Sequence, residues 1–165
     1  PGSRFALEAE LPTRPYAAIG SAGAMQWISK LNQAMADEAL FQFPQPGLTI
    51  PNPGVPRVNG AGQGGMLLNA DGFAANWAWR DGQFFNVITG GNRYLHHWRA
   101  DGAASAGGVA AAMPIFPLLR VSPDDSALID AATPMIQGKI EGDANEWTVD
   151  RMRRVGISFM IVEKR

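Results

Sequence analysis

Two adjacent histidines, His96 and His97, are the only histidines of the chain and lie in the stretch NRYLHHWRADG, residues 92–102. Imidazole nitrogens bind metal ions and titrate near neutral pH, so this pair is the first candidate for chemistry. The surrounding residues predict a strand, in which neighbouring side chains point to opposite faces. One ion therefore cannot take both rings, and no third histidine exists to complete a site. We expect one ring in the sheet face and one at the surface, with a pH-sensitive contact as the remaining role.

Other catalytic arrangements are also missing from the sequence. The chain has no cysteine, which excludes thiolate catalysis, disulfides and Cys-ligated metals. No G-x-S-x-G motif accompanies the serines, and the glycine-rich stretch near Gly60–Gly65 lacks the lysine of a phosphate-binding loop. Several acidic residues could supply paired carboxylates, but no spacing selects two of them. We therefore expect a non-enzymatic protein without cofactor or metal, and keep a hydrolase as a further hypothesis.

Aromatic side chains are the stronger clue to function. Trp79 on one predicted strand and Tyr94, His96 and Trp98 on a neighbouring one could share a sheet face, because alternate residues of a strand point the same way. Such a face could stack on sugar rings or accept a partner protein. The alternative is that the rings fill the core beneath a helix. We favour that alternative for Phe73 and Trp77, because half-buried sheets pack such rows.

The strands that must position these residues follow from turn signals and alternation. Asp-Gly and Gly-Asn pairs recur about every ten residues between aromatic and β-branched runs. This pattern predicts an antiparallel meander of about four strands over residues 65–100. Alternating apolar residues also predict an N-terminal and a C-terminal strand, the latter paired with the segment 145–153.

Two helices complete the predicted fold. Apolar residues at helical spacing, such as Ile28 and Leu31, predict a long helix over about residues 21–40. Ser122 and Pro123 are typical of a helix start and predict a short helix over about 123–132. The expected fold class is α+β, with the meander and terminal strands packed with both helices in a single domain of residues 1–165.

The segment of residues 44–65, PQPGLTIPNPGVPRVNGAGQGG, is rich in proline and glycine. Prolines fix φ and remove backbone donors, so no regular element is expected to run through it. Leu48, Ile50 and Val55 argue against simple disorder. Two interpretations stay open, an extended arm on a neighbouring surface and an ordered loop over the protein's own core. The arm predicts that deleting residues 44–60 reduces assembly more than folding.

Charge does not point to nucleic acid or membrane. The stretch DRMRRVG, residues 150–156, places Arg151 and Arg153 on one face of a predicted strand. Against a net charge of −1, this patch is too small to bind nucleic acid. We interpret it as a charged edge strand or an intersubunit salt-bridge set. No apolar run approaches the roughly 20 residues that span a bilayer, and the sequence shows no signal peptide. We expect no membrane partner and leave the location open.

The last third of the chain carries a resemblance. SPDDSALIDAATPMI (122–136) and GKIEGDANEWTVDRMRRVGISFMIVEKR (138–165) resemble the helix and closing antiparallel strands of bacteriophage tail-completion and tail-terminator proteins. The resemblance implies a small, non-enzymatic subunit that assembles into rings, located in the virion or the host cytoplasm. The leading hypothesis is thus a structural or assembly subunit of a phage virion that forms homo-oligomers or docks on partner proteins. The alternative hypothesis is a carbohydrate- or ligand-binding module that uses the aromatic face.

Overall fold

The computed structural model describes residues 3–17, 23–141, 147–150 and 153–164. The chain divides into two compact units, of which unit 1 contains residues 1–4 and 41–136 and unit 2 contains residues 5–40 and 137–165. The elements in chain order are β1 (Ala6–Pro15), α1 (Ala24–Ala36), β2 (Ala39–Gln42), β3 (Gly54–Val58), β4 (Gly65–Phe73), β5 (Ala78–Trp79), β6 (Phe84–Thr89), β7 (Asn92–Trp98), β8 (Gly102–Ala103), β9 (Ala110–Leu119), β10 (Leu128–Asp130), β11 (Met135–Glu141), β12 (Trp147–Val149) and β13 (Arg154–Glu163). Strand predominates, and the α+β class holds in this coarse sense. A single domain over residues 1–165 stays a prediction.

Unit 1 is built on a closed antiparallel barrel. Its six strands follow one another in the order β10-β3-β4-β9-β7-β6, and β6 pairs back with β10. Closure removes the free edges that an open sheet would leave. Alternate residues point inward and are buried, among them Val58, Leu68, Phe85, Ile115 and Ile129. The short strands β5 and β8 pair with each other beside the barrel strands.

Only part of the predicted meander is present. Strands β6 and β7 form a hairpin around Gly90–Gly91, as the turn signal there predicted. Strand β4 pairs with β3 and β9, whereas β5 pairs with β8, so the four strands over residues 65–100 are not successive neighbours. Asp71–Gly72 lies inside β4 rather than in a turn. Gly72 has a φ of +73°, and a Cβ on it would lie 2.5 Å from the carbonyl oxygen of Val55. This glycine therefore permits a close strand contact.

The short helix predicted over residues 123–132 is wrong. A turn occupies residues 125–126, and β10 (Leu128–Asp130) then enters the barrel. Ile129 pairs with Val87 of β6 and is buried, so tertiary packing in a strand outweighs the local helix signals. Asp124, expected at the start of the helix, instead accepts a hydrogen bond of 2.8 Å from the hydroxyl of Thr89.

Unit 2 contains an open antiparallel sheet and the helix. The sheet order is β1-β13-β11-β2, and β12 also pairs with β13. Residues 41–42 of β2 and 135–136 of β11 are assigned to unit 1. The two predicted terminal strands are confirmed and pair with each other, and the pairing of β12 with β13 confirms the partner expected over residues 145–153. The long helix is confirmed but shorter than predicted. It ends at Ala36, because the chain turns into β2 at Ala39, and residues 21–22 lie outside the described residues.

Candidate functional site

The aromatic row predicted as a contact face lies inside the barrel of unit 1. Trp98 is fully buried, and its ring stacks on Phe85 with centroids 4.2 Å apart. Trp79 packs against Trp98 at 5.7 Å, and Trp77 lies 5.8 Å from Trp98. The hypothesis that Trp79 and Trp98 stack on a ligand is therefore wrong. Phe73 and Trp77 are buried, as favoured, but in the core of unit 1 and not beneath the long helix, which belongs to unit 2.

The physical reason is barrel closure. Tyr94, His96 and Trp98 do share one face of β7, as alternation predicted, but the closed ring of strands turns that face inward. Tyr94 is half-buried, with the guanidinium carbon of Arg120 lying 5.4 Å from the centre of its ring. A cation over an aromatic face is a stabilising arrangement in itself, so this pair explains Tyr94 without a ligand.

The two histidines point to opposite sides of β7, as predicted. His96 is buried, and its Nδ1 donates to the carbonyl oxygen of Pro117 over 2.9 Å. Desolvation lowers the pKa of His96 from its ordinary 6.5 to about 4, partly opposed by this hydrogen bond. His97 is half-buried outside the barrel, between the rings of Phe84 and Phe116 at 5.4 and 5.5 Å. His96 is thus a neutral core residue at pH 7.

The proline-rich segment 44–65 is ordered and belongs to unit 1. Its residues 54–58 form barrel strand β3, so the interpretation as an ordered segment over its own core is the one observed there. Ile50 packs against the hydrophobic core of the barrel. Val55 is 58% exposed and Leu48 half-buried, so these two residues of the predicted contact set do reach the surface.

Leu48 lines a shallow cleft of about 350 Å³ in unit 1, together with Pro44, Gln45, Pro46, Arg80, Asp81, Gly82, Gln83 and Phe84. The amide of Gln45 forms one wall of this cleft. It accepts a hydrogen bond of 2.7 Å from the backbone N–H of Phe84 and donates one of 3.5 Å to its carbonyl oxygen. These bonds hold the proline-rich segment to β6, so the role of Gln45 is structural.

An exposed apolar surface on the barrel was not predicted. Met66 and Leu67 on β4 are 41% and 53% exposed, and Leu118 on β9 is 36% exposed. Gly65 pairs with Leu119 and the register shifts between Gly65 and Leu67, so all three exposed residues lie in or beside this irregular stretch of the β4–β9 pairing. We call these three residues the barrel patch. The run of Met66, Leu67 and Leu68 was the available signal, because a half-buried strand should alternate apolar and polar residues.

Arg153 does not lie on the predicted strand face. Arg153 is exposed, with a φ of 57°, in the turn between β12 and β13, and its N–H donates to the carbonyl oxygen of Asp150 over 3.1 Å. Arg151 lies outside the described residues. Arg154 begins β13 and donates to the carbonyl oxygen of Thr13 on β1 over 2.8 Å. Arg153 therefore belongs to a hairpin turn rather than to a row of arginines.

Among the described residues, His, Asp and Glu side chains form no group of three or more that could hold a metal ion. In the same part of the chain, none of the helical structure is long and apolar enough to cross a membrane.

Neither a protein-family model nor a curated protein sequence matches the chain.

Proposed function

We propose that this chain is a non-enzymatic structural subunit that associates through its surface with further copies or with partner proteins. We further propose that it is a tail or head-completion component of a phage virion. The observation that carries the first proposal is the barrel patch of Met66, Leu67 and Leu118. The second rests on the resemblance of the C-terminal third to tail-completion and tail-terminator proteins. Its closing strands are matched by β12 and β13 in unit 2, whereas strand β10 stands in place of its helix.

The barrel patch favours association because adjacent exposed apolar residues mark interaction sites, whereas single ones are common on any surface. Burying an aliphatic side chain yields about 1.5–3 kcal/mol when it passes fully from water to an apolar contact. Three half-exposed side chains can therefore contribute a few kcal/mol to an interface. Arg99, whose guanidinium lies 3.7 Å from the sulfur of Met66, gives the patch a polar border, as interface rims have.

The structure changes how assembly should be tested. Deleting residues 44–60 would remove β3 from a closed barrel, so folding and assembly would fail together. Surface substitutions avoid this problem. We expect the triple variant Met66→Ser, Leu67→Ser, Leu118→Ser to keep the barrel, because all three side chains are exposed and none belongs to its buried core.

The experiment is light scattering after size exclusion at a series of protein concentrations. We expect the unmodified protein to form an oligomer that the triple variant forms only at concentrations roughly tenfold higher or more. Val149→Ser is the matched control, because Val149 is 64% exposed and lies on β12 in unit 2. Equal assembly of the triple variant and the unmodified protein would remove the barrel patch from the proposal. A closed ring in electron micrographs of the oligomer would support the phage component, and irregular aggregates would oppose it.

A further inference from the structure

The sheet of unit 2 has a free edge at strand β1. Strand β1 lies at the end of the order β1-β13-β11-β2, and no strand among the described residues pairs with its outer side. An edge strand presents a row of backbone N–H and C=O groups that can pair with another chain. The closed barrel of unit 1 has no such edge, whereas the open sheet of unit 2 leaves β1 available for pairing.

The hydrogen-bond register shows which residues face outward. The N–H of Glu163 donates to the carbonyl oxygen of Phe5 over 2.9 Å, and the pairing then continues without a shift from Ala6 to Leu11. In an antiparallel ladder, hydrogen-bonded and non-hydrogen-bonded pairs alternate. Every second residue from Phe5 onward therefore bonds to β13, and Ala6, Glu8 and Glu10 direct their N–H and C=O groups to the outer edge.

The usable edge is short and has a defined end. Pro12 is the next residue in this outward series, and it has no N–H to donate. A register irregularity between Leu11 and Arg14 follows, and Pro15 ends the strand. Proline and bulges are the usual means of protecting an edge. Residues 6–11 are the part of β1 that these features leave open.

The side chains along this open part define what would fit beside it. Glu8 and Glu10 are exposed on one face of the sheet, while Leu7, Ala9 and Leu11 are only half-buried on the other. A strand added to β1 would place its alternate residues opposite these two rows. Opposite charges across a strand pair stabilise it and like charges destabilise it. The partner should therefore alternate basic residues, facing Glu8 and Glu10, with apolar residues that cover the second face.

The same charges disfavour a second copy of β1. Two β1 strands related by a two-fold axis would pair in antiparallel fashion and bring Glu8 and Glu10 of one copy against those of the other. Since like charges directly opposite one another destabilise a strand pair, self-pairing at this edge is selected against.

We propose that residues 6–11 of β1 form a docking edge for an extended segment of a partner protein, added as a further antiparallel strand with alternating basic and apolar residues. Main-chain hydrogen bonds to Ala6, Glu8 and Glu10 provide affinity, and the two carboxylates provide selectivity. This goes beyond the function proposed above, which rests on the barrel patch of unit 1. It names a separate surface and the chemistry of its partner.

The test uses the full chain and two short peptides of alternating residues, one of valine and lysine and the other of valine and glutamate. Binding is followed by fluorescence anisotropy of the labelled peptide. We expect the lysine peptide to bind more tightly than the glutamate peptide. The double variant Glu8→Lys, Glu10→Lys should weaken lysine-peptide binding roughly tenfold or more and reverse the preference. Glu141→Lys is the matched control, because Glu141 lies on β11, two strands from the edge, and it should change the binding less.

A backbone readout separates strand addition from simple charge attraction. Amide hydrogen exchange of Ala6, Glu8 and Glu10 should slow on binding, whereas Leu7 and Ala9 serve as internal standards because they already bond to β13. Glu8→Pro removes an outward N–H without removing a bond to β13, and it should abolish binding while circular dichroism shows the sheet intact.

The docking edge is overturned if neither peptide binds, if Glu8→Pro binds as well as the unmodified chain, or if the three outward amides keep their exchange rates in the complex. None of these results affects the barrel patch, whose light-scattering test is independent of β1.

Discussion

The side-chain amide of Asn86 pairs with the backbone of Met135 in the way that a strand residue would. Its Nδ2 donates to the carbonyl oxygen of Met135 over 2.9 Å, and its Oδ1 accepts from the N–H of Met135 over 2.6 Å. Asn86 is fully buried on β6, where an unpaired amide would be unfavourable. Two residues earlier, Phe84 is bonded by the amide of Gln45 in the same two-point fashion. Strand β6 is thus joined to two segments of unit 1 through side-chain amides.

Replacing Asn86 should destabilise unit 1 strongly. Asn86→Ala removes both bonds, leaves the N–H and C=O of Met135 without these partners and opens a small space on β6. Since a buried group that loses its partner costs about 1–3 kcal/mol, we expect a loss of roughly 3 kcal/mol in the free energy of unfolding. Urea denaturation followed by tryptophan fluorescence measures it, because Trp77, Trp79 and Trp98 lie in the buried core cluster of unit 1.

Two further variants, Gln45→Ala and Gln26→Ala, provide smaller expected losses of stability with which that of Asn86→Ala can be compared. Gln45 makes the same type of pair in a half-buried position, so its removal should cost about 1 kcal/mol. Gln26 is exposed on α1 and should change stability by less than about 0.5 kcal/mol. If Asn86→Ala were no more destabilising than Gln26→Ala, the two-point pair would not stabilise the barrel.

His96 should make stability depend on pH in a defined window. Its folded-state pKa, about 4, lies below the unfolded value of 6.5, so the unfolded chain binds the proton more readily between these values. Above pH 6.5, neutral His96 makes its full contribution to the free energy of unfolding. This contribution falls as the pH drops toward 4, and below that pH it no longer changes. Integrated over this window, the loss is on the order of 3 kcal/mol.

The comparison that isolates this effect uses His96→Gln. Glutamine keeps a donor for the carbonyl oxygen of Pro117 but does not titrate. Unfolding free energies of both proteins should be measured at about pH 7 and about pH 4.5. The unmodified protein should lose more stability between the two values than the variant. Parallel losses would show that other groups, such as carboxylates, cause the acid sensitivity and that the pKa of His96 is the same in the folded and unfolded states.

Local patterns predicted the elements better than their partners. The alternation in residues 5–11 and near the C terminus correctly predicted β1 and β13, because each strand has one buried face and one exposed face. The hairpin of β6 and β7 followed from its Gly-Gly-Asn turn. In these cases the deciding interactions are close in sequence, within the strand or across a tight turn.

Barrel closure was not predictable in the same way. Strand β10, which closes the ring between β3 and β6, carries helix signals and has three residues, so only its long-range pairing makes it a strand. The inward direction of Trp98 depends on that closure. An aromatic row has the same sequence pattern whether its face points to a partner or to a core, and this is why the predicted contact site became the barrel interior.

Trp98 should therefore behave as a core residue rather than a ligand contact. It is fully buried and touches the rings of Phe85, Trp77 and Trp79. Trp98→Ala would leave a large cavity, and we expect a loss of roughly 4 kcal/mol in the free energy of unfolding. Val55→Ala is the control, because its side chain is 58% exposed and contributes little burial. A glycan that quenched the fluorescence of the folded protein, with the loss of that effect in Trp98→Phe, would contradict this assignment.

Gly138 should be the most sensitive of the glycines that the structure describes in unit 2. It lies on β11 opposite Glu163 of β13, and a Cβ added to it would overlap the carbonyl oxygen of Val162. The overlap is with backbone, which cannot move aside as a flexible side chain can. The two strands would have to separate where β13 also pairs with β1. We expect Gly138→Ala to lower the free energy of unfolding by about 3 kcal/mol.

Gly64→Ala is the matched control, because a Cβ there meets nothing within 4 Å. Hydrogen exchange of the β13 amides should accelerate in Gly138→Ala and stay unchanged in Gly64→Ala. Equal stability of the two variants would show that β11 and β13 lie further apart than this register requires.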